Sequence, residues 1–185
     1  MPEPSRAAAR RLATVALAVA VAACNSTTGP ETAVSVEGVR VEVPAGWSEQ
    51  SGQEPAGVVA ARRWSPGEGV ESLQVVVGCD GTAEELAAGA AQAPRDPLVV
   101  TDAVELEAPD VPGLDAVHRL RITLGAGRQD DAETVRVSGL YGQSGDAIVL
   151  VEVAQRAGAS DDLADAVLTS VVVAPATVQS ACGDG

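Results

Sequence analysis

Alternation of apolar and polar residues is the main pattern in this chain, and it predicts β-strands. In residues 39–43 every second residue is valine, so an extended segment there would bury one face. Pro44-Ala45-Gly46 ends that segment, and Val34 and Val36 alternate in the same way before it. Further extended segments, divided by turn-forming residues, are predicted at 58–64, 73–78, 99–107, 116–124, 134–141 and 147–153. Because most connections are short, we expect one antiparallel sheet of about six to seven strands.

Two helices are predicted from their capping residues. Thr82 and Glu85 form a capping box, and the helix that follows is expected to end at about Ala93, before Pro94. The second helix is expected to begin at Ser160-Asp161-Asp162, where side chains cap free N–H groups and carboxylates interact with the helix dipole. Its apolar residues recur at helical spacing: Leu163, Ala166, Val167 and Val171. The pattern therefore predicts an α+β fold with two helices packed on the sheet.

The N-terminal segment has the pattern of an export signal. Arg6, Arg10 and Arg11 precede an apolar run at 12–23, which would cover only about 18 Å of a hydrocarbon core roughly 30 Å thick. A permanent membrane span is therefore not expected. We divide the chain into a lipoprotein signal peptide at 1–23, a flexible tether at 24–32, a single α+β domain at 33–174 and a C-terminal tail at 175–185.

The end of the apolar run, Val21-Ala22-Ala23-Cys24, resembles the lipobox at which bacterial lipoproteins are processed. The resemblance implies that Cys24 becomes the first residue of the mature protein and carries acyl chains. Several acyl chains would anchor the protein stably to the outer, extracytoplasmic face of the cytoplasmic membrane. An ordinary secretory signal whose cleavage site lies beside a cysteine is the alternative.

The chain is strongly acidic, and this limits its partners. Its formal net charge is −14, and removal of residues 1–23, whose net charge is +2, leaves −16. Such a charge repels nucleic acid, so no nucleic-acid partner is expected. The expected partners are the membrane, through the lipid anchor at Cys24, and either an envelope protein or a small apolar ligand.

Two cysteines remain after Cys24, and such a pair in an exported protein favours a disulfide. Cys79 and Cys182 would close a loop of about a hundred residues and tie the tail at 175–185 to the domain. Two buried free thiols are the alternative. No zinc site is predicted, because two isolated cysteines and one histidine do not make a ligand set. No cofactor is predicted.

The order of the predicted elements and one short motif, Val43-Pro44-Ala45-Gly46-Trp47, resemble the PsbP-like fold superfamily. Within that superfamily, residues 34–173 are similar in layout to the LpqN/LpqT type of lipoprotein from high-GC Gram-positive bacteria. The resemblance implies a sandwich in which helices pack on a central antiparallel sheet. It also implies a role in binding or assembly, because the family supplies no catalytic motif.

His118 is the only histidine, so any serine–histidine or cysteine–histidine mechanism must use it. It shares the parity of the apolar residues in its strand, which favours a structural histidine satisfied by a backbone group. Arg119 and Arg121 have the opposite parity and are expected to pair with acids on neighbouring strands. The acidic clusters at 130–133 and 161–165 lack the spacing of a calcium loop, so we expect a solvated loop and a helix cap. No catalytic or metal-binding residue is therefore predicted.

Two tryptophans and two arginines are the candidates for contact with a ligand or partner. Trp47 and Trp64 are the largest rigid apolar side chains in a chain that has no phenylalanine. A core position is the default for both, and Trp47 is the better candidate for a rim position because it follows a strand end. Arg62 and Arg63 lie beside Trp64, and pairing with acids on neighbouring strands is the alternative to contact with a partner.

Together these features predict a lipid-anchored extracytoplasmic lipoprotein that serves as a non-catalytic binding or assembly component of the cell envelope. One alternative is a ligand-carrier lipoprotein with an apolar cavity between sheet and helix. The other is an envelope hydrolase that uses His118, which would require a serine or aspartate beside that histidine in a cleft.

Overall fold

The computed structural model describes residues 32–51, 58–93, 98–126 and 134–183. The strands in these ranges are β1 (Thr32–Val36), β2 (Val39–Val43), β3 (Ser48–Gln50), β4 (Val58–Ser65), β5 (Ser72–Gly78), β6 (Leu98–Leu106), β7 (Ala116–Ala126), β8 (Val135–Ser144), β9 (Ala147–Arg156) and β10 (Val172–Val173). The helices are α1 (Ala83–Ala90), α2 (Asp162–Thr169) and α3 (Pro175–Gly183). The predicted signal peptide and Cys24 lie outside the described residues. Within the described ranges, no helix combines the length and apolar character needed to cross a membrane.

Seven strands form one sheet in the order β3-β4-β5-β9-β8-β7-β6, and every neighbouring pair is antiparallel. This confirms the α+β class and the antiparallel sheet. Strands β6 to β9 form a meander, and β9 also pairs with β5, from Ser72 opposite Ala154 to Gly78 opposite Ile148. Strand β3 was not predicted, because its three exposed residues show no apolar alternation.

Strands β1, β2 and β10 form a separate three-stranded sheet. The turn between β1 and β2 lies at Glu37-Gly38 as expected, and both residues have positive φ. Val39, Val41 and Val43 of β2 are buried in the same apolar cluster as residues of the large sheet. The small sheet is therefore a second layer rather than an extension of the first, a relationship that alternation within one strand does not reveal.

Each face of the large sheet is covered by different elements. On the first face, Val75 and Val151 belong to an apolar cluster that also contains the small sheet and α2, and we call this the small-sheet face. On the second, which we call the α1 face, Leu120 and Ile122 pack with Ala87 of α1. The central strands are thus buried on both sides, in agreement with the uninterrupted aliphatic sequence at 147–151.

The two predicted helices begin in different ways. At α1 the capping box is present: the backbone N–H of Glu85 donates to Thr82 Oγ1 at 3.1 Å, and that of Thr82 donates to Glu85 Oε2 at 3.0 Å. At α2 the Asp161 side chain makes no capping hydrogen bond. Its carboxylate oxygens instead lie 2.7 Å from Arg121 Nη2 and 2.9 Å from Arg136 Nη2. Asp161 is therefore an ion-pair site that joins the helix to the sheet, whereas Ser160 does cap as expected: its Oγ accepts from the backbone N–H of Asp162 at 3.2 Å.

Residues 175–183 form helix α3, where a C-terminal tail was expected. The helix was missed because its apolar face is thin and Val178 is its only buried residue in the described range. Helix α3 packs closely against the β1–β2 turn of the small sheet. The approach is so close that a Cβ added to Gly38 would lie 2.8 Å from Thr177 Cβ. The Sγ atoms of Cys79 and Cys182 lie 2.10 Å apart, so the cysteines predicted to pair form a disulfide that joins α3 to the end of β5.

We expect reduction of this disulfide to lower the free energy of unfolding by about 2–5 kcal/mol, because the bond restricts the unfolded chain. The two cysteines are 103 residues apart in sequence. Urea unfolding of the Cys24→Ser chain with and without reductant measures the difference. The chain that also lacks Cys79 and Cys182 is the control and should not respond to reductant. Two reactive thiols in the unfolded, unreduced Cys24→Ser chain would contradict the bond.

Candidate functional site

An open groove of about 440 Å³ lies on the α1 face of the large sheet. Its volume falls within the range of roughly 300–1,000 Å³ that is usual for small-molecule sites. The polar residues that line it are Arg63, Ser72, Gln74 and Glu152. The apolar residues that line it are Val70, Leu98, Leu124, Val135, Val137 and Ala154. No sequence motif marked this groove, because its residues come from six strands and from the loop between β4 and β5.

Short side chains in the middle of the sheet explain why the groove exists. Ser72 of β5 lies opposite Ala154 of β9, which in turn lies opposite Val137 of β8. The neighbouring row on the same face contains the longer side chains of Gln74 and Glu152. Helix α1 packs mainly on β7 and β8 and leaves this part of the face open. A row of short side chains beside a row of long ones therefore forms a depression across the strands.

A buried tyrosine and a buried glutamate support the groove from the sheet. Tyr141 is fully buried, and its hydroxyl donates a hydrogen bond to Glu152 Oε1 at 2.8 Å. Glu152 is only 7% exposed, so this bond offsets part of the cost of taking a carboxylate out of water. The tyrosine ring lies over Gly139, where an added Cβ would be 2.6 Å from the Tyr141 hydroxyl oxygen. The strand thus needs glycine at residue 139 for the ring to reach the glutamate.

Of the two arginines predicted as contact residues, Arg63 lines the groove and Arg62 does not. Arg63 Nη2 donates to Ser72 Oγ at 3.2 Å, and within the described ranges Arg63 has no carboxylate at ion-pair distance. Arg62 points to the opposite face, where its Nε lies 3.3 Å from Glu49 Oε1. The expected pairing with an acid on a neighbouring strand therefore occurs at Arg62, and Arg63 is the basic group at the groove.

Neither tryptophan lies at the groove. Trp64 is 5% exposed and belongs to the core of the small-sheet face, so its position argues against direct contact with a ligand. Trp47 is partly buried against the same core, and its backbone N–H donates to Pro44 O at 3.2 Å. Trp47 therefore belongs with the core of the small-sheet face and not with the groove.

His118 lies on the α1 face but does not line the groove. Its Nδ1 is 3.0 Å from Glu105 Oε1 on the neighbouring strand, so its partner is a carboxylate and not the backbone group expected from the sequence. Among the described residues, no serine or cysteine side chain forms a hydrogen bond with it. This pair is not arranged as a nucleophile with its base.

The arginines of β7 join the sheet to α2. Arg119 pairs with Asp165 and Arg121 with Asp161, whereas acids on neighbouring strands were expected as partners. The small-sheet face of β7 is thus covered by a helix rather than by solvent at this point. In the described part of the chain, no three metal-ligating side chains form a group that could hold an ion.

A seven-stranded antiparallel sheet with a second, three-stranded sheet packed on one face and helices on both faces defines an α+β sandwich. The solved structure of cyanobacterial PsbP (CyanoP) from Synechocystis is similar to this chain with a TM-score of 0.52 and 14% sequence identity, over 83% of this chain and 99% of CyanoP. At that identity the likeness shows the fold alone. It confirms the PsbP-like fold that the sequence predicted.

A second similar structure comes from Bacteroides thetaiotaomicron, with a TM-score of 0.45 and 8% sequence identity. The match covers 74% of this chain but 45% of the Bacteroides protein, so this chain spans less than half of that protein. No protein-family model matches the chain. No curated protein matches it either.

We expect Tyr141→Phe to lower the free energy of unfolding by about 1–3 kcal/mol, because the buried Glu152 carboxylate would lose a hydrogen bond. His118→Gln is the matched control, since it removes an exposed bond to a carboxylate and should change stability by less than about 0.5 kcal/mol. Urea unfolding of the two variants measures both values. Equal effects in the two variants would show that the Tyr141 hydroxyl does not support the groove.

Proposed function

We propose that this protein is a lipid-anchored lipoprotein of the LpqN/LpqT type, held on the extracytoplasmic face of the cytoplasmic membrane. The proposal is supported by the lipobox-like sequence that ends at Cys24 and by the export pattern before it. The disulfide between Cys79 and Cys182 is consistent with an oxidising compartment outside the cytosol.

We further propose that its role in the envelope is non-catalytic binding or assembly. The observation that carries this proposal is the groove, which has mixed polar and apolar walls. Its wall residues sit on paired strands, so the fold holds them in place without help from a ligand. His118, the group on which a hydrolase would depend, lies outside the groove and is engaged by Glu105.

A ligand carrier is the second candidate function, and the same groove favours it. Six of its lining residues are aliphatic or alanine, so an apolar chain would lose contact with water there. The sequence suggested an apolar cavity between sheet and helix for such a carrier. The groove is open along one side, which suits a ligand that is exchanged rather than stored.

We expect Cys24→Ser to leave an unprocessed precursor and to move the protein from the detergent phase to the aqueous phase, because the thiol that receives the lipid would be gone. Detergent-phase partitioning and labelling with a palmitate analogue measure the two effects. Asn25→Ala is a neighbouring control that should partition like the wild-type protein. Undiminished labelling of Cys24→Ser would overturn the anchor.

We expect a His118→Gln gene to complement a deletion strain as well as the wild-type gene does, because binding needs no group that titrates near neutral pH. Envelope integrity is scored while the folding of each protein is checked by its melting temperature. Cys24→Ser serves as the variant expected to fail. A folded His118→Gln protein that does not complement, together with loss of a hydrolytic activity, would favour the enzyme instead.

A further inference from the structure

We infer that the groove binds a fatty-acid-like ligand, meaning a single aliphatic chain that ends in a carboxylate. The inference deepens the proposed binding role and rests on it. Two properties of the groove point to this ligand: the aliphatic character of its apolar lining, and the position of Arg63 relative to that lining.

The apolar wall selects the chain. Leu98, Leu124 and Val135 line one end of the groove, and within the lining of described residues no aromatic ring is present. Flat ring systems are usually bound against aromatic side chains, whereas branched aliphatic side chains suit a flexible alkyl chain. Val70, from the loop between β4 and β5, adds a further aliphatic contact. The wall therefore favours an alkyl chain over a planar ligand.

The position of Arg63 selects the head group. Arg63 lies on β4 and Leu98 on β6, with β5, β9, β8 and β7 between them. At about 4.8 Å between neighbouring strands, Leu98 lies roughly 24 Å across the sheet from Arg63, but the lining valines of β8 lie only roughly 14 Å from it, which is within reach of an extended twelve-carbon chain. A ligand that contacts both Arg63 and the aliphatic lining is thus polar at one end and apolar at the other. Its polar end lies at Arg63 and Ser72.

The head group of the ligand, which lies at Arg63, is expected to be negatively charged. Arg63 is exposed and lacks an acidic partner among the described residues, although acids outnumber arginines 26 to 12 in the chain. A guanidinium group matches a carboxylate with two parallel hydrogen bonds. The described lining also holds one carboxylate, Glu152 on β9, whose Oε1 accepts the hydrogen bond from the Tyr141 hydroxyl. Because the groove offers one arginine in the described ranges and already contains this carboxylate, a head group with one negative charge is better balanced there than a phosphate with nearly two. These points together select a carboxylate.

The test is calorimetric titration of the full-length Cys24→Ser chain, which has no acyl group of its own at residue 24. Three probes share a twelve-carbon chain and differ in the head: dodecanoate, dodecyl phosphate and dodecyltrimethylammonium, each used below its micelle concentration. We expect dodecanoate to bind most tightly. Tighter binding of the phosphate would overturn the carboxylate assignment, and equal or tighter binding of the cation would overturn the role of Arg63.

Two variants locate the site. Arg63→Gln should weaken dodecanoate binding by about tenfold, the effect of losing one charge-assisted interaction. Arg62→Gln is the matched control, because it removes the adjacent charge on the opposite face and should bind like the parent chain. Ala154→Leu should fill the groove and abolish binding, and Ala61→Leu, on the same face outside the lining, should not. Equal affinities of Arg63→Gln and Arg62→Gln would refute the inference.

Failure of this inference and failure of the proposed function are distinguishable. A chain that is acylated at Cys24 and needs no histidine, but binds none of the probes, retains the proposed role and loses only the ligand assigned here. A chain that binds dodecanoate through Arg63 but is not acylated loses the anchor and retains the site.

Discussion

The pairing of β9 with β5 on one side and with β8 on the other is the interaction on which the rest of the structure depends. Val149, Val151 and Val153 are fully buried on the small-sheet face, where the small sheet and α2 pack over them. The opposite face of the same strand carries Glu152 and Ala154, which shape the groove. One strand thus contributes to the main core and also forms the base of the candidate site.

The composition of the chain explains how this arrangement packs. With no phenylalanine, the core is filled by valine and leucine and by one fully buried ring, that of Tyr141. Elements approach closely where side chains are absent: a Cβ on Gly142 would lie 2.3 Å from Leu114 Cδ1, and one on Gly113 would lie 2.1 Å from Val173 O. The groove has the same cause, namely small side chains. Ser72 and Ala154 are too short to fill the space beside Gln74 and Glu152.

The sequence allowed correct predictions wherever a local pattern carries the information. Strand alternation located β2, a capping box located the start of α1, and two cysteines in a chain with an export-like N-terminal pattern indicated the disulfide. Features that depend on contacts between distant residues were missed. The local sequence predicts that Asp161 caps a helix, and only the fold shows that it pairs with Arg121 and Arg136. The groove could not be predicted without the register of β5 against β9. Parity shows which residues share a face, but not which element covers that face.

The central claim is that this groove is where the protein binds its ligand. Nuclear magnetic resonance of the labelled Cys24→Ser chain, titrated with dodecanoate, tests it most directly, because each backbone amide reports its own surroundings. The account predicts shifts at Ser72, Gln74, Val137 and Ala154, which line the groove, and none at Val39 and Val41 in the small sheet. Shifts confined to the small sheet, or spread evenly over the chain, would contradict it.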